Sequence, residues 1–163
     1  MEKKMEHLIT EYRLMLCRLA FTYLKTVEDA EDVVQDVFVY ILTRNVEFEN
    51  EEHERAWLLR AVIHRSINQL KKRSRQDVSW QDYMESAEGE SAETNAEDNM
   101  VMEAVLALDE KYKAVIYLYY FEGYDQNEIA GMLDIPLSTV KTRMVRGRKR
   151  LKVILKEVFD YEE

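Results

Sequence analysis

The fifteen residues LSTVKTRMVRGRKRL, 137–151, hold six Lys or Arg and no acid, in a chain whose formal net charge is −9. Val140, Met144, Gly147 and Leu151 recur at spacings of four, three and four, so they share the inner face of a helix and leave Lys141, Arg143, Arg146, Lys149 and Arg150 to solvent. Such a cationic face neutralises phosphates by releasing their counterions, and polar residues at the N-terminal end of the helix are placed to reach base edges in a major groove. The bland alternative is a solvated basic face, common on helices. What precedes this helix argues against that alternative: in DQNEIAGMLDIPLSTVKTRM, Asp125 caps one helix with Glu128 reaching back, Asp134, Ile135 and Pro136 break the chain, and Ser138 or Thr139 starts the next. The pattern is a helix-turn-helix, so an acidic chain concentrates its positive charge where a nucleic-acid backbone would lie.

Other chemistries lack their residues. HERAW, 53–57, is missing the second histidine of a zinc-binding HExxH, and His7, His53, His64 and Cys17 have no metal-ligand spacing. No Gly-rich phosphate loop and no pairing of nucleophile with base occurs. The chain is expected to be no enzyme and to need no metal or other cofactor. Its histidines read as ordinary polar residues, with His64 the best placed for a function.

The elements that carry these residues are helices. Only four Gly and one Pro in 163 residues leave little turn chemistry for strands, whereas apolar spacing repeatedly fits a helix. Leu8, Tyr12, Met15, Leu16, Leu19 and Tyr23 form a first stripe that breaks near Lys25 and Thr26. Thr26 and Asp29 open a second helix with Ala30, Val33, Val34, Val37, Phe38 and Ile41 on one face. A third, after the acidic loop VEFENEEHE, has Leu59, Val62, Ile63, Ile67 and Leu70 inside and ends in KKRSR. From Gln76 through Glu110 there is no Lys or Arg, and SAEGESAETNAED is too poor in apolar groups to repay the entropy of ordering. Helical spacing resumes at Val101, Ala104, Val105 and Leu108, and KYKAVIYLYYFEGY reads as an aromatic core helix rather than a stacking platform for bases. The predicted fold is therefore all-α, with two small helical domains, 1–76 and 99–163, joined by an acidic flexible linker, 77–98.

With 47% hydrophobic and 34% charged residues, the chain suits one or two compact units. It holds no run of about 18 apolar residues, and MEKKMEHLITEY lacks an apolar signal core, so a cytoplasmic protein without membrane insertion is expected. The one cysteine, Cys17, falls in an apolar helical pattern and reads as a buried thiol.

DAEDVVQDVFVYI, AWLLRAVIHRSINQLKKRSR and FEGYDQNEIAGMLDIPLSTVKTRMVRGRKRL, in this order around an acidic segment, resemble the two domains of a bacterial extracytoplasmic-function (ECF) RNA polymerase sigma factor of the sigma-70 family. The likeness covers nearly the whole chain except the linker and the last few residues. It implies a promoter-specificity subunit that binds core RNA polymerase at the β′ clamp helices and the β flap, recognises promoter DNA at the −10 and −35 elements, and is restrained by an anti-sigma factor, often membrane-bound. Core binding would fall to Asp29, Asp32, Gln35 and Asp36, which lie mostly away from the apolar stripe and offer an Arg-rich partner a negative surface. The −10 element would be melted and captured by the third helix, with Arg60, His64, Arg65, Asn68, Lys71, Lys72, Arg73 and Arg75 as track and reader. Trp57 reads there as a core anchor, with base stacking as its alternative. The −35 element would meet Ser138, Thr139, Lys141, Thr142, Arg143 and Arg146.

The chain departs from the family pattern in four places. Ile63 and His64 stand where Arg-Asn is common, Asn68 where Asp is frequent, Asp134 at a usual turn glycine and Gly147 at a frequent Ala. Asp134 tolerates the left-handed backbone a turn needs, and Gly147 permits close packing. Two other classes compete with this reading. A transcriptional regulator would use only the helix-turn-helix and bind duplex operator as a symmetric dimer, which leaves the basic end of the third helix without purpose. A purely protein-binding helical adaptor leaves the charge of 137–151 unexplained.

Overall fold

Lys25 stops the first helix and Thr26 starts the second. In the computed structural model, which describes residues 2–72 and 96–159, Lys25 adopts the left-handed conformation (φ 61°), its N–H donating to Phe21 O at 2.9 Å. Extended Thr26 then accepts the Asp29 N–H on its hydroxyl at 3.3 Å. Helices α1 (Glu2–Leu24), α2 (Val27–Thr43) and α3 (Glu51–Lys72) result, and each packs on the other two. They belong to the first of two units, Met1–Val78 and Ser79–Glu163.

Of the predicted α1 stripe, Leu8, Tyr12, Leu16, Leu19 and Tyr23 are buried and Met15 is half-buried. Its last turns, Leu19–Leu24, are buried all round because α2 and α3 both lie against α1. Thr22 is tolerated there because its hydroxyl donates to Leu19 O at 2.6 Å. The Cys17 thiol is buried, as expected. Near the other end of α1, Tyr12 donates to Glu54 of α3 at 2.7 Å and His7 Nε2 meets the same carboxylate at 2.9 Å. Burial above all, and then the Glu54 hydrogen bond, pushes the Tyr12 phenol well above its ordinary pKa.

The inner face of α3 differs from expectation. Leu58, Leu59, Val62, Ile63 and Ser66 are buried, whereas Ile67 and Leu70 are only half-buried. The buried row runs 58, 62, 66, four residues apart, and small Ser66 fits where that row continues. Asn50 starts this helix: the His53 N–H donates to Asn50 Oδ1 at 2.8 Å and the Glu49 N–H donates to His53 Nδ1 at 3.1 Å. The HERAW histidine is thus a capping residue.

Residues 77–95 of the predicted linker lie outside the described residues, and α4 (Ala96–Leu106) starts within its last three. The second unit continues with α5 (Glu110–Tyr120), α6 (Gln126–Leu133) and α7 (Leu137–Phe159), and α7 packs on each of the other three. Seven helices and no strand occur among the described residues. In the aromatic run of α5 and its turn, Tyr112, Tyr117 and Tyr124 are buried as expected, but Tyr120 is 50% exposed. Gly123 takes φ 78° in the turn that ends this run, allowing the Tyr124 N–H to reach Leu118 O at 3.0 Å.

The expected inner row of α7, Val140, Met144, Gly147 and Leu151, is buried. Gly147 sets how near α5 approaches, because a Cβ there would stand 3.0 Å from Ile116 Cγ1 and 3.4 Å from Tyr112 Cβ. Gly147→Leu is expected to cost about 1–3 kcal/mol through overpacking. Gly147→Ala should be nearly neutral, since about 1 kcal/mol of helix propensity offsets a few tenths of an ångström of displacement at Ile116. Denaturant midpoints of the two variants check both values.

Candidate nucleic-acid interface

The turn ahead of α7 forms as its residues dictate. Asp125 accepts the Glu128 N–H at 2.8 Å while the Glu128 carboxylate accepts the Asp125 N–H at 3.0 Å, a complete capping box. Asp134 closes α6 in the left-handed conformation (φ 55°, ψ 49°), and the Ile135 N–H returns to Ala130 O at 3.2 Å. Pro136 O then accepts the Thr139 and Val140 N–H groups, which starts α7 at Leu137, one or two residues before the expected Ser138 or Thr139.

From Leu137 to Lys156, α7 carries eight Lys or Arg and no acid. Ser138, Lys141, Thr142 and Arg146 are exposed, and Thr139 and Arg143 are half-buried. The side chains of Ser138, Thr139, Thr142, Arg143 and Arg146 line one open groove whose other wall is Lys111 and Tyr112 at the start of α5. Lys141 stands apart from that groove. Thr142 is held by a hydrogen bond from its hydroxyl to Ser138 O at 3.0 Å. The groove therefore joins the three hydroxyls of Ser138, Thr139 and Thr142 beside Arg143 and Arg146 with a third cation, Lys111, that nothing near 137–151 in the sequence announces.

In the first unit, Asp32, Gln35 and Asp36 are exposed together on α2, with Val39, 46% exposed, one turn further on. Asp29 differs from these three: it is buried in the first turn of α2, beside the Thr26 cap, so the exposed acidic set is smaller than expected.

On α3, Arg60, His64, Arg65, Asn68, Lys71 and Lys72 are all exposed; Arg73 and Arg75 lie outside the described residues. Trp57 is not in the bundle core. It is half-buried, stacked on Tyr40 with 6.3 Å between ring centroids and edge-on to Phe48 at 5.4 Å. Tyr40, 39% exposed, in turn lies under two guanidinium groups, Arg44 at 5.4 Å and Arg65 at 5.7 Å. A ring braced by a tryptophan and covered by two guanidinium groups presents those cations to a phosphate, and a base can stack on the ring where a guanidinium moves aside.

These two positively charged sites lie in segments that match two different regions of one family. Residues 8–76 match Sigma-70 region 2, and residues 98–151 match Sigma-70, region 4. The RNA polymerase sigma factor SigV of Bacillus subtilis (strain 168) is 30% identical over 147 residues, covering 90% of this chain and 88% of that protein. The chain belongs to the sigma-70 family of RNA polymerase sigma factors. Within that family the resemblance to the ECF group holds: the ECF RNA polymerase sigma factor SigW of the same organism is 28% identical over 162 residues, 90% of this chain and 86% of SigW. The fold agrees as well. The sigma factor RpoE of Bartonella quintana, solved in complex with the anti-sigma factor NepR, matches the chain with a TM-score of 0.68 at 18% identity, over 93% of this chain and 96% of that one. No described helix of this sigma factor is long and apolar enough to cross a membrane.

Proposed function

We propose that this sigma factor acts as a DNA-reading and polymerase-docking subunit, without catalysis of its own, in the cytoplasm. Asp32, Gln35 and Asp36 of α2 dock on core RNA polymerase. The start of α7 reads the −35 element in the major groove, and α3 with the Tyr40 corner captures the non-template strand near −10. The observation that carries this reading is the groove in which Arg143 and Arg146, with the hydroxyls of α7, meet Lys111. Arg and Lys there reach guanine edges, and the hydroxyls satisfy phosphate oxygens. An anti-sigma factor restrains the chain in this account, as one accompanies RpoE of Bartonella quintana.

The test is an electrophoretic assay with bacterial core RNA polymerase. The chain is expected to co-migrate with core and to retain promoter duplex in its company. A chain that ignores core yet shifts duplex as a symmetric dimer is a regulator, and contradicts the proposal.

The Tyr40 corner makes a separate prediction. Stacking of an unpaired base on an aromatic ring contributes about 1–3 kcal/mol. Tyr40→Ala is therefore expected to reduce promoter opening roughly tenfold or more on duplex DNA, while a template already unpaired near −10 recovers part of the loss, because opening no longer has to be driven. Permanganate reactivity of unpaired thymines reads both templates.

A further inference from the structure

Helix α5 crosses beneath α7 at Gly147 and emerges on both sides of it. Its first turn, Lys111 and Tyr112, walls the groove of Arg143 and Arg146, Ile116 lies under Gly147, and its last residues, Tyr119 and Tyr120, meet Arg148. Arg148 is exposed, yet it is held. Its Nε–H donates to the Tyr120 hydroxyl at 2.9 Å, and its guanidinium lies 5.3 Å and 5.8 Å from the Tyr119 and Tyr120 ring centroids. A side chain of that length on a surface ordinarily occupies many rotamers, and the hydrogen bond and the two rings together select one of them. The Nε–H is used, and the outer nitrogens carry four more donors suited to a phosphate.

Position on the helix says which phosphate. At 3.6 residues per turn Lys141, Arg148 and Lys152, seven and four residues apart, form one row along α7, and all three are exposed. Arg143, Arg146 and Arg150 form another row toward the opposite flank. A helix about 10–12 Å across that enters a major groove about 12 Å wide meets a sugar-phosphate backbone on each flank. We propose that Arg148, pre-set by Tyr119 and Tyr120, is a phosphate clamp on the DNA strand opposite the one flanked by the Arg143 and Arg146 row, so that α7 grips both strands. The inference rests on the reading of α7 as the −35 helix and adds a contact that reading does not contain. Tyr120 is a positioning residue, acting only through Arg148.

The test uses the full chain and a duplex spanning the −35 element of a promoter mapped with it, titrated at several salt concentrations. Arg148→Ala is expected to weaken binding several-fold and to lower the salt slope by about one ion, the amount one phosphate contact contributes. Tyr120→Phe, which keeps the ring and removes the hydroxyl, should weaken binding two- to threefold in the parent chain and have no effect once Arg148 is Ala. Neutral methylphosphonate linkages, placed singly along each strand, should abolish the Arg148→Ala penalty at one site or two adjacent sites on one strand only. If Arg148→Ala leaves slope and affinity unchanged while Arg143→Ala with Arg146→Ala alters both, the clamp is wrong and the −35 reading stands. If none of these variants changes the slope, the −35 reading itself fails and the clamp with it. An Arg148→Ala loss that no neutral linkage suppresses, accompanied by a lower melting temperature, makes Arg148 a packing residue and overturns the proposal.

Discussion

Arg143→Ala combined with Arg146→Ala is expected to weaken binding to the −35 duplex by two orders of magnitude or more. Each arginine withdrawn from a base edge costs about 1–3 kcal/mol, and every phosphate left without its guanidinium lowers the salt slope by about one ion. Folding should be largely spared, since Arg146 is exposed, Arg143 is half-buried, and the inner row Val140, Met144, Gly147 and Leu151 is untouched. The loss should also depend on sequence: it is large on the mapped element and small on scrambled duplex, where only phosphates are gripped. Fluorescence anisotropy against salt, on both duplexes, reads the two components separately. An equal loss on both would reduce these arginines to backbone contacts.

Asp32→Lys combined with Asp36→Lys is expected to abolish stable association with core RNA polymerase while leaving the isolated −35 interaction intact. Both carboxylates are exposed on one face of α2, so the reversal places like charge against the Arg-rich surface that the docking proposal requires. Truncating one partner of a desolvated charge pair costs about 2–5 kcal/mol, and reversing two adds repulsion to that loss. The matched control is Asp29→Asn, at a carboxylate buried beside the Thr26 cap: it should affect the stability of the first unit more than core affinity. Competition for core against a labelled sigma factor measures the first effect, and urea unfolding the second.

Asp29 shows why the exposed acidic face of α2 was not fully legible in the sequence. Periodicity separates the faces of a helix but does not say how far a neighbouring helix covers their margins, and Asp29 is buried where Glu28, Asp32 and Asp36 are exposed. The helix-turn-helix was legible in detail, because its determinants are local: the Asp125 and Glu128 box, a left-handed Asp134 and the spacing of Val140, Met144, Gly147 and Leu151 all act within a few residues. Lys111 was not, since it reaches the groove through the packing of α5 on α7, from a distant part of the chain. Trp57 was read as a core anchor, with base stacking as its alternative. It instead fills the corner between Tyr40 and Phe48, where a half-buried ring can brace an exposed one. The inner row of α3 slipped for a similar reason, because Ser66 carries no apolar signal and yet is fully buried.

The most direct test of the central claim is transcription in vitro from fragmented genomic DNA of the source organism by bacterial core RNA polymerase, with and without the chain, mapping every 5′ end. The expected result is a set of new start sites that share paired upstream elements, absent without the chain and abolished by the Arg143 and Arg146 double variant. An unchanged set of starts, from core enzyme shown to be active, would contradict it.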